Sequence, residues 1–305
     1  MIKNLYRYLE KHTDSKLFLF RFKTIKIFLN MFLPLYFLLT PRKKLDEEST
    51  IVVSLTSFPA RIKRLHVVIE CILRQTSMPH KIVLYLSKEQ FRNFSLLPLQ
   101  LRKLCNQKYL EIELVEGDIR SHKKYLYAMS TYKDFDIVTI DDDIIYPEDM
   151  IEGLLAYHTI YNTDIICNLA HKIVLDDNNE VMPYRAWKKD MVSLKSKYSL
   201  VPIGCGGVFY PKRCMLETDV LNIDRALELC PNADDFWLKI NSLLSGRKVF
   251  RSMNYKKYLF TDILFIHNQK LCDSNVTENK NDIQFKSLYE FYKNRISVYL
   301  EEMDD

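Results

Sequence analysis

Three consecutive carboxylates, Asp141, Asp142 and Asp143, follow an apolar run at 135–140. In extended backbone, side chains two residues apart project to one side, so Asp141 and Asp143 can converge. Like charges held close are costly unless water or a cation neutralises them. A hard divalent cation with oxygen ligands meets that need, and a diphosphate can complete its shell. The triplet thus reads either as a Mn2+ or Mg2+ site or as a solvated acidic turn ahead of the next helix.

A second acidic pair, Asp234-Asp235, stands in ADDFWLK before a helical apolar pattern. Carboxylates in a first helical turn are favoured by the helix dipole, which is one reading of the pair. The other is a general base, because a sugar hydroxyl must lose its proton as it attacks. Between the two acidic motifs, residues 202–207 (PIGCGG) hold three of the chain's six glycines. Close backbone approach to a ligand would explain them, and so would a tight turn.

The elements that must position these groups alternate. Apolar runs at 51–56, 81–86, 110–115 and 135–140 predict strands, and helical spacing predicts helices at 61–75, 123–132 and 147–161, the last with Pro147 in its first turn. One or two short helices broken at Pro98 are expected within 88–106. Later helices are expected at 233–245 and 282–302, among less regular chain. Alternation of this kind predicts an α/β fold with a mostly parallel sheet and helices on both faces. In such sheets ligands bind beyond the carboxyl ends of the strands, which puts the 56–61 loop and the acidic triplet at one crevice.

The 305 residues are 48% hydrophobic and 27% charged, a globular composition. The net charge of +5 is uneven. Residues 1–44 carry ten Lys and Arg against Glu10 and Asp14, a net of +8, leaving the remainder at −3. The body is therefore no polyanion binder, and no nucleic-acid partner is expected. Seven Cys form no C-x-x-C pair, which points away from a disulfide framework or zinc site and toward a reducing compartment.

Residues 17–39 form the most apolar stretch, interrupted by Arg21, Lys23 and Lys26, with Pro34 expected to break a late helix. It is short for a spanning helix and lacks a signal-peptide pattern. Lys16, Lys23, Lys26 and Asn30 fall on one helical stripe, which predicts an in-plane amphipathic helix with its cations at lipid headgroups. A short membrane anchor and a helix packed on the body are the alternatives. The expected division is a basic membrane-associating segment at 1–45 and a catalytic domain at 46–305.

In their order and spacing, SLTSFPARI, SHKKYLYA, TIDDDIIYP, PIGCGGVFYP and NADDFWLK together resemble nucleotide-sugar glycosyltransferases of the GT-A fold. The likeness is to bacterial family-2-like enzymes of surface polysaccharide synthesis. It spans about residues 50–285. It implies that Thr56, Ser57 and Arg61 border the donor nucleotide and that Lys124, with His122 a further candidate, faces the diphosphate. Asp141 and Asp143 would hold Mn2+ or Mg2+, with His267 as a late metal ligand, and Asp142 would lie nearer the ribose or donor sugar. Gly206 and Gly207 would line the donor–acceptor junction, with Arg185 and Trp187 as acceptor-side candidates. Asp234 or Asp235 would be the base, with inversion at the anomeric carbon favoured. The implied partners are a nucleoside-diphosphate sugar, with UDP favoured, and a glycan or lipid-linked acceptor. The implied location is peripheral, at the cytoplasmic face of a bacterial inner membrane. Asn281, Asp282 and Gln284 also fit the resemblance, without a derivable role.

Two other classes remain. VTIDDDI also resembles the motif of haloacid-dehalogenase-like phosphatases, although there the motif usually closes the first strand. A non-catalytic sugar-nucleotide or glycan binder is the third reading. No P-loop, dinucleotide, zincin or α/β-hydrolase signature occurs.

Overall fold

Strands buried on both faces of a parallel sheet need nearly continuous apolar sequence, and IVVSLT and KIVLYLS supply it. The computed structural model describes residues 16–178, 180–253, 260–263 and 279–301. Within them, β1 (Ile51–Thr56), β2 (Lys81–Ser87), β3 (Glu111–Val115) and β4 (Asp136–Thr139) lie where the apolar runs predict strands. They join β6 (Ile165–Cys167), β9 (Val208–Tyr210) and β10 (Val249–Arg251) in one sheet of order β10-β6-β9-β4-β1-β2-β3. β1 pairs in parallel with β2 and β4, and β2 with β3, while β9 runs antiparallel between β4 and β6. The expected α/β architecture is present.

Helices cover both faces: α2 (Leu65–Ile72), α3 (Leu99–Asn106) and α5 (Met150–His158) on one, α4 (Lys123–Thr131), α7 (Asp234–Leu244) and α8 (Lys280–Glu301) on the other, with α6 (Ile223–Leu229) beside α8. Alternation along β1 divides the core: Ile51, Val53 and Leu55 enter the first layer and Val52 the second. Two small ribbons complete the description. One pairs β5 (Ile144–Ile145) with β11 (Thr261–Asp262), and the other pairs β7 (Ala170–Lys172) with β8 (Leu200–Pro202).

Two local expectations are corrected. Pro147 is not in a first helical turn, because α5 starts at Met150. The carbonyls before it are committed elsewhere: Pro147 O accepts from Gln75 Nε2 at 2.6 Å and Glu148 O from Thr76 N at 2.7 Å. Nor does Pro34 break the first helix, since α1 (Lys16–Leu39) runs through it. Tertiary packing offsets the lost hydrogen bond. Leu29 and Leu33 are buried in the first layer, and Tyr36 donates to Glu148.

The polar stripe of α1 also lies opposite to expectation. Lys26 Nζ pairs with Asp262 Oδ2 at 2.8 Å, and Asn30 Nδ2 donates to Asp262 O at 3.3 Å. The described part of the stripe therefore faces the body. The carboxyl end of α1 is held by Arg74, which donates to Phe37 O and Thr40 O, each at 2.7 Å, and pairs with Glu70 at 2.6 Å. A cation on terminal carbonyls is favourable for charge and hydrogen bonding alike. Arg74→Met leaves those carbonyls unmet and Glu70 with Arg42 alone. It should cost about 3 kcal/mol in denaturant unfolding, whereas Arg42→Met, at a more exposed site, should cost about 1 kcal/mol or less.

Candidate active site

The strand order reverses at β1: the chain steps outward through β2 and β3, then returns to β4 on β1's other side. The carboxyl ends of β1 and β4 therefore flank a switch point, and the 56–61 loop meets the acidic triplet there. Ser57 Oγ donates to Asp142 Oδ2 at 2.6 Å, and Arg61 Nη1 donates to Asp142 Oδ1 at 2.7 Å. Arg61 also pairs with Asp143 Oδ2 at 3.0 Å. Both Asp142 oxygens are thus engaged and the residue is buried, so Asp142 ties the β1 loop to the triplet. Thr56 Oγ1 is spent on Tyr85 O at 2.8 Å, within the sheet.

Lys124 joins the triplet to the second acidic pair. Its buried Nζ lies 2.7 Å from Asp141 Oδ1 and 3.1 Å from Asp234 Oδ2. Ser54 Oγ donates to Lys124 O at 2.5 Å, tying the start of α4 to β1. Gly204 sits at the centre. Its N–H points at both Asp235 oxygens, 3.2 Å away. A Cβ there would stand 3.1 Å from Asp235 Oδ1, 3.1 Å from Lys124 Nζ and 3.5 Å from Asp141 Oδ1.

The electrostatics separate neighbours in sequence. Burial pushes Asp235 up to about 8, with Asp234 adding to the shift. Burial also acts on Asp234, but Lys124 and His122 outweigh it and hold that carboxyl below the usual range. Burial pushes Asp143 up to about 7 against the pull of Arg61. Lys124 is driven well above the usual lysine range, because Asp141, Asp234 and Asp235 outweigh its desolvation.

The donor set suits a hard divalent cation. Asp141 and Asp143 offer only oxygens, and five carboxylates (Asp141–Asp143, Asp234, Asp235) face the two cations Arg61 and Lys124. Burial raises the Asp143 and Asp235 carboxyls, and the neighbouring carboxylates add to the shift. Among the described residues no group of three or more His, Cys, Asp or Glu is placed to hold a metal ion. Asp143 is drawn to Arg61 and Asp141 to Lys124. His267 lies outside the described residues.

Several expected residues stand elsewhere. His122 is buried, with Nε2 on Cys230 O and Nδ1 on Tyr125 OH, each at 2.9 Å, so its ring faces the core rather than a diphosphate. Trp187 is no open sugar platform: it packs on Phe236 and Phe285, and its indole N–H donates to Met182 O at 2.8 Å. Arg185 is exposed, 3.3 Å from Asn279 Oδ1. Gly206 and Gly207 meet packing needs. A Cβ on Gly206 would strike Leu169 at 2.8 Å, and Gly207 has φ +81°. The glycine at the carboxylates is Gly204, which the cluster of glycines flagged without distinguishing. Two further residues had no sequence signal. Tyr146 OH accepts the Asp141 N–H at 2.8 Å, and Asp262 arrives through β11. The 281–284 segment acquires a role: Asp282 accepts from Tyr184 N at 2.5 Å and Gln284 from Asn232 N at 2.7 Å, fastening the loops on either side of α7's start.

No family model matches the chain, and no curated protein matches it. Among solved structures it is similar to 4-diphosphocytidyl-2C-methyl-D-erythritol synthase from Anaerococcus prevotii, at 10% identity and TM-score 0.42 over 77% of this chain and 100% of that one. TarS of S. aureus shares 12% identity at TM-score 0.40 over 66% of this chain and 35% of that one. CMP:2-keto-3-deoxy-manno-octonic acid synthetase, complexed with CTP, shares 12% identity at TM-score 0.38 over 66% of this chain and 87% of that one. Similarity this distant carries no argument about activity.

Asp143 and Asp235 hold their protons to higher pH when folded than the pKa of about 4 expected unfolded. From pH 4 to about 8 the folded chain thus binds more protons at these sites, so their contribution to stability falls as pH rises. In chelator, Asp143 and Asp235 should together pull the melting temperature down by roughly 2–5 °C between pH 6 and pH 8.5, against an opposing rise from Lys239, which burial pushes down to about 7. The drop should shrink in Asp143→Asn and Asp235→Asn; an unchanged drop in both would reject this charge balance.

Proposed function

We propose that the chain is a metal-dependent glycosyltransferase of the GT-A type, moving a sugar from a nucleoside-diphosphate donor to a glycan or lipid-linked acceptor. One observation carries the reading. Two acidic motifs about ninety residues apart in sequence meet across Lys124 and Gly204 at the switch point of a mainly parallel sheet. One motif suits a cation with a diphosphate, and the other suits a proton acceptor.

On this reading Asp141 and Asp143 would hold Mn2+ or Mg2+ through their carboxylate oxygens. The ion, when bound, would neutralise charge on the departing nucleoside diphosphate. Lys124 adds a fixed positive charge beside Asp141 and keeps Asp234 ionised. Asp235 is the better base of the pair, because its carboxylate is not held by Lys124 and its proton affinity is high. The Gly204 N–H orients that carboxylate. The acceptor hydroxyl gives its proton to Asp235 as its oxygen bonds to the anomeric carbon and the bond to the diphosphate breaks. A single base opposite the leaving group favours inversion. UDP remains the favoured nucleotide, and the place of work is the membrane face where nucleotide sugars are made.

Thermal stabilisation by a panel of sugar nucleotides, with and without Mn2+, tests the donor assignment. Asp143→Ala should abolish the Mn2+-dependent stabilisation. Asp235→Asn should keep it while lowering turnover about 10²–10⁴-fold. Gly204→Ala should also lower turnover, because its methyl crowds Asp235 and Lys124. Loss of donor binding in Asp235→Asn would move that residue to the donor side. Release of phosphate from small phosphoesters, without nucleotide release, would replace the reading by the phosphatase one.

A further inference from the structure

With Lys26 and Asn30 turned to the body, α1 presents its apolar side outward. Phe28, Met31, Phe32, Leu35, Leu38 and Leu39 follow helical spacing, and all are exposed, Leu38 at 83%. The Phe28 and Phe32 rings stack at 4.1 Å, so the stripe is continuous. Burial of Leu29 and Leu33, the Lys26–Asp262 pair and the Arg74 clamp hold the opposite face in place. The outward stripe is thus a preformed platform, and leaving it in water forfeits its apolar burial energy.

We propose that this face seats the protein on an anionic bilayer surface, with α1 lying in the headgroup plane. Charge selects the occupant. The segment 1–44 carries a net of +8, so two copies meeting through α1 would bring two strongly basic segments together. Anionic headgroups are complementary to the same segment, and Lys44, five residues past the helix end, is exposed. Insertion is shallow rather than spanning: among the described residues no helix is long and apolar enough to cross a membrane. Aromatic and aliphatic side chains on one face with cations nearby are what an in-plane helix needs. Of the described cations just past the helix, Lys44 is exposed, while Arg42 pairs with Glu70 and Lys43 donates to Gln75 O.

The platform lies close to the carboxylates. Asp262, which receives Lys26, pairs through β11 with β5 just after the triplet, and the next residue, Ile263, donates its N–H to Asp143 O at 2.7 Å. A seated α1 therefore brings the crevice near the lipid boundary. The docking stands apart from the reaction; only its use, presenting an acceptor held in the bilayer, rests on the transfer reading.

Co-sedimentation of the full chain with vesicles tests the seat. Vesicles of phosphatidylcholine with phosphatidylglycerol should pull down the protein, and pure phosphatidylcholine should do so much less. Phe32→Ser with Leu35→Ser should weaken binding at least tenfold without lowering the melting temperature of the free protein. Leu38→Glu with Leu39→Glu, at the exposed end, should do the same, which guards against a folding defect in the first pair. Equal vesicle binding by wild type and both variants would assign attachment to the basic tail alone and overturn the proposal. So would absence of vesicle binding, or a dimer in sedimentation equilibrium that both variants dissolve. None of these outcomes reads catalysis, so they leave the transfer reading standing or falling on its own test.

Discussion

The buried ammonium of Lys124 is the constraint from which the site follows. A desolvated cation costs several kcal/mol unless it is paired, and its place in the first turn of α4 sets it against the helix dipole. Asp141 and Asp234 meet that cost from opposite sides, and Asp235 adds to the field. Three distant segments, the start of α4, the end of β4 and the start of α7, must therefore arrive together. Gly204 closes the remaining gap with backbone alone, because any side chain there would meet Lys124 and Asp235 at once.

Arg61 plays the matching part on the other side of the triplet. It binds Asp142 tightly and Asp143 at slightly greater distance, and Ser57 completes the shell of Asp142. The triplet is thus divided by environment. Asp142 is a structural carboxylate that pins the β1 loop, while Asp141 and Asp143 keep capacity for another partner. Two cations face five carboxylates, and burial, with the neighbouring carboxylates adding to it, raises Asp143 and Asp235. Like charges held this close in a desolvated site cost stability.

The strand pattern and the triplet were legible because both obey short-range rules. Apolar runs of five or six residues mark buried parallel strands, and strand order then fixes where their ends meet. What stayed illegible depends on direction in space. The sequence near PIGCGG announces a close approach but not which glycine makes it; register against Leu169, Met150 and Asp235 decides that. Trp187 and His122 carry the right chemistry, yet Phe236 with Phe285 claims one and Cys230 with Tyr125 the other. The orientation of α1 failed for the same reason. A helical projection finds the polar stripe, but only the partner Asp262, more than two hundred residues on in sequence, says that the stripe faces inward.

Adjacent carboxylates take different work because their surroundings push their proton affinities apart. Asp234 and Asp235 share a helical turn, and each is pressed by burial. Lys124 pairs with Asp234 and acts on Asp235 only through space, where its pull and that of the Gly204 N–H fall short of desolvation and the Asp234 charge. Asp142, enclosed by Arg61 and Ser57, and Asp143, which shares the guanidinium, are both raised by burial, so that pair differs in its partners rather than in the direction of its shift. In both pairs the better-satisfied carboxylate anchors structure and its neighbour is left able to exchange partners. A proton acceptor and a cation ligand each need that freedom. The fold supplies it by placing one positive charge beside each pair, close to the first carboxylate and farther from the second.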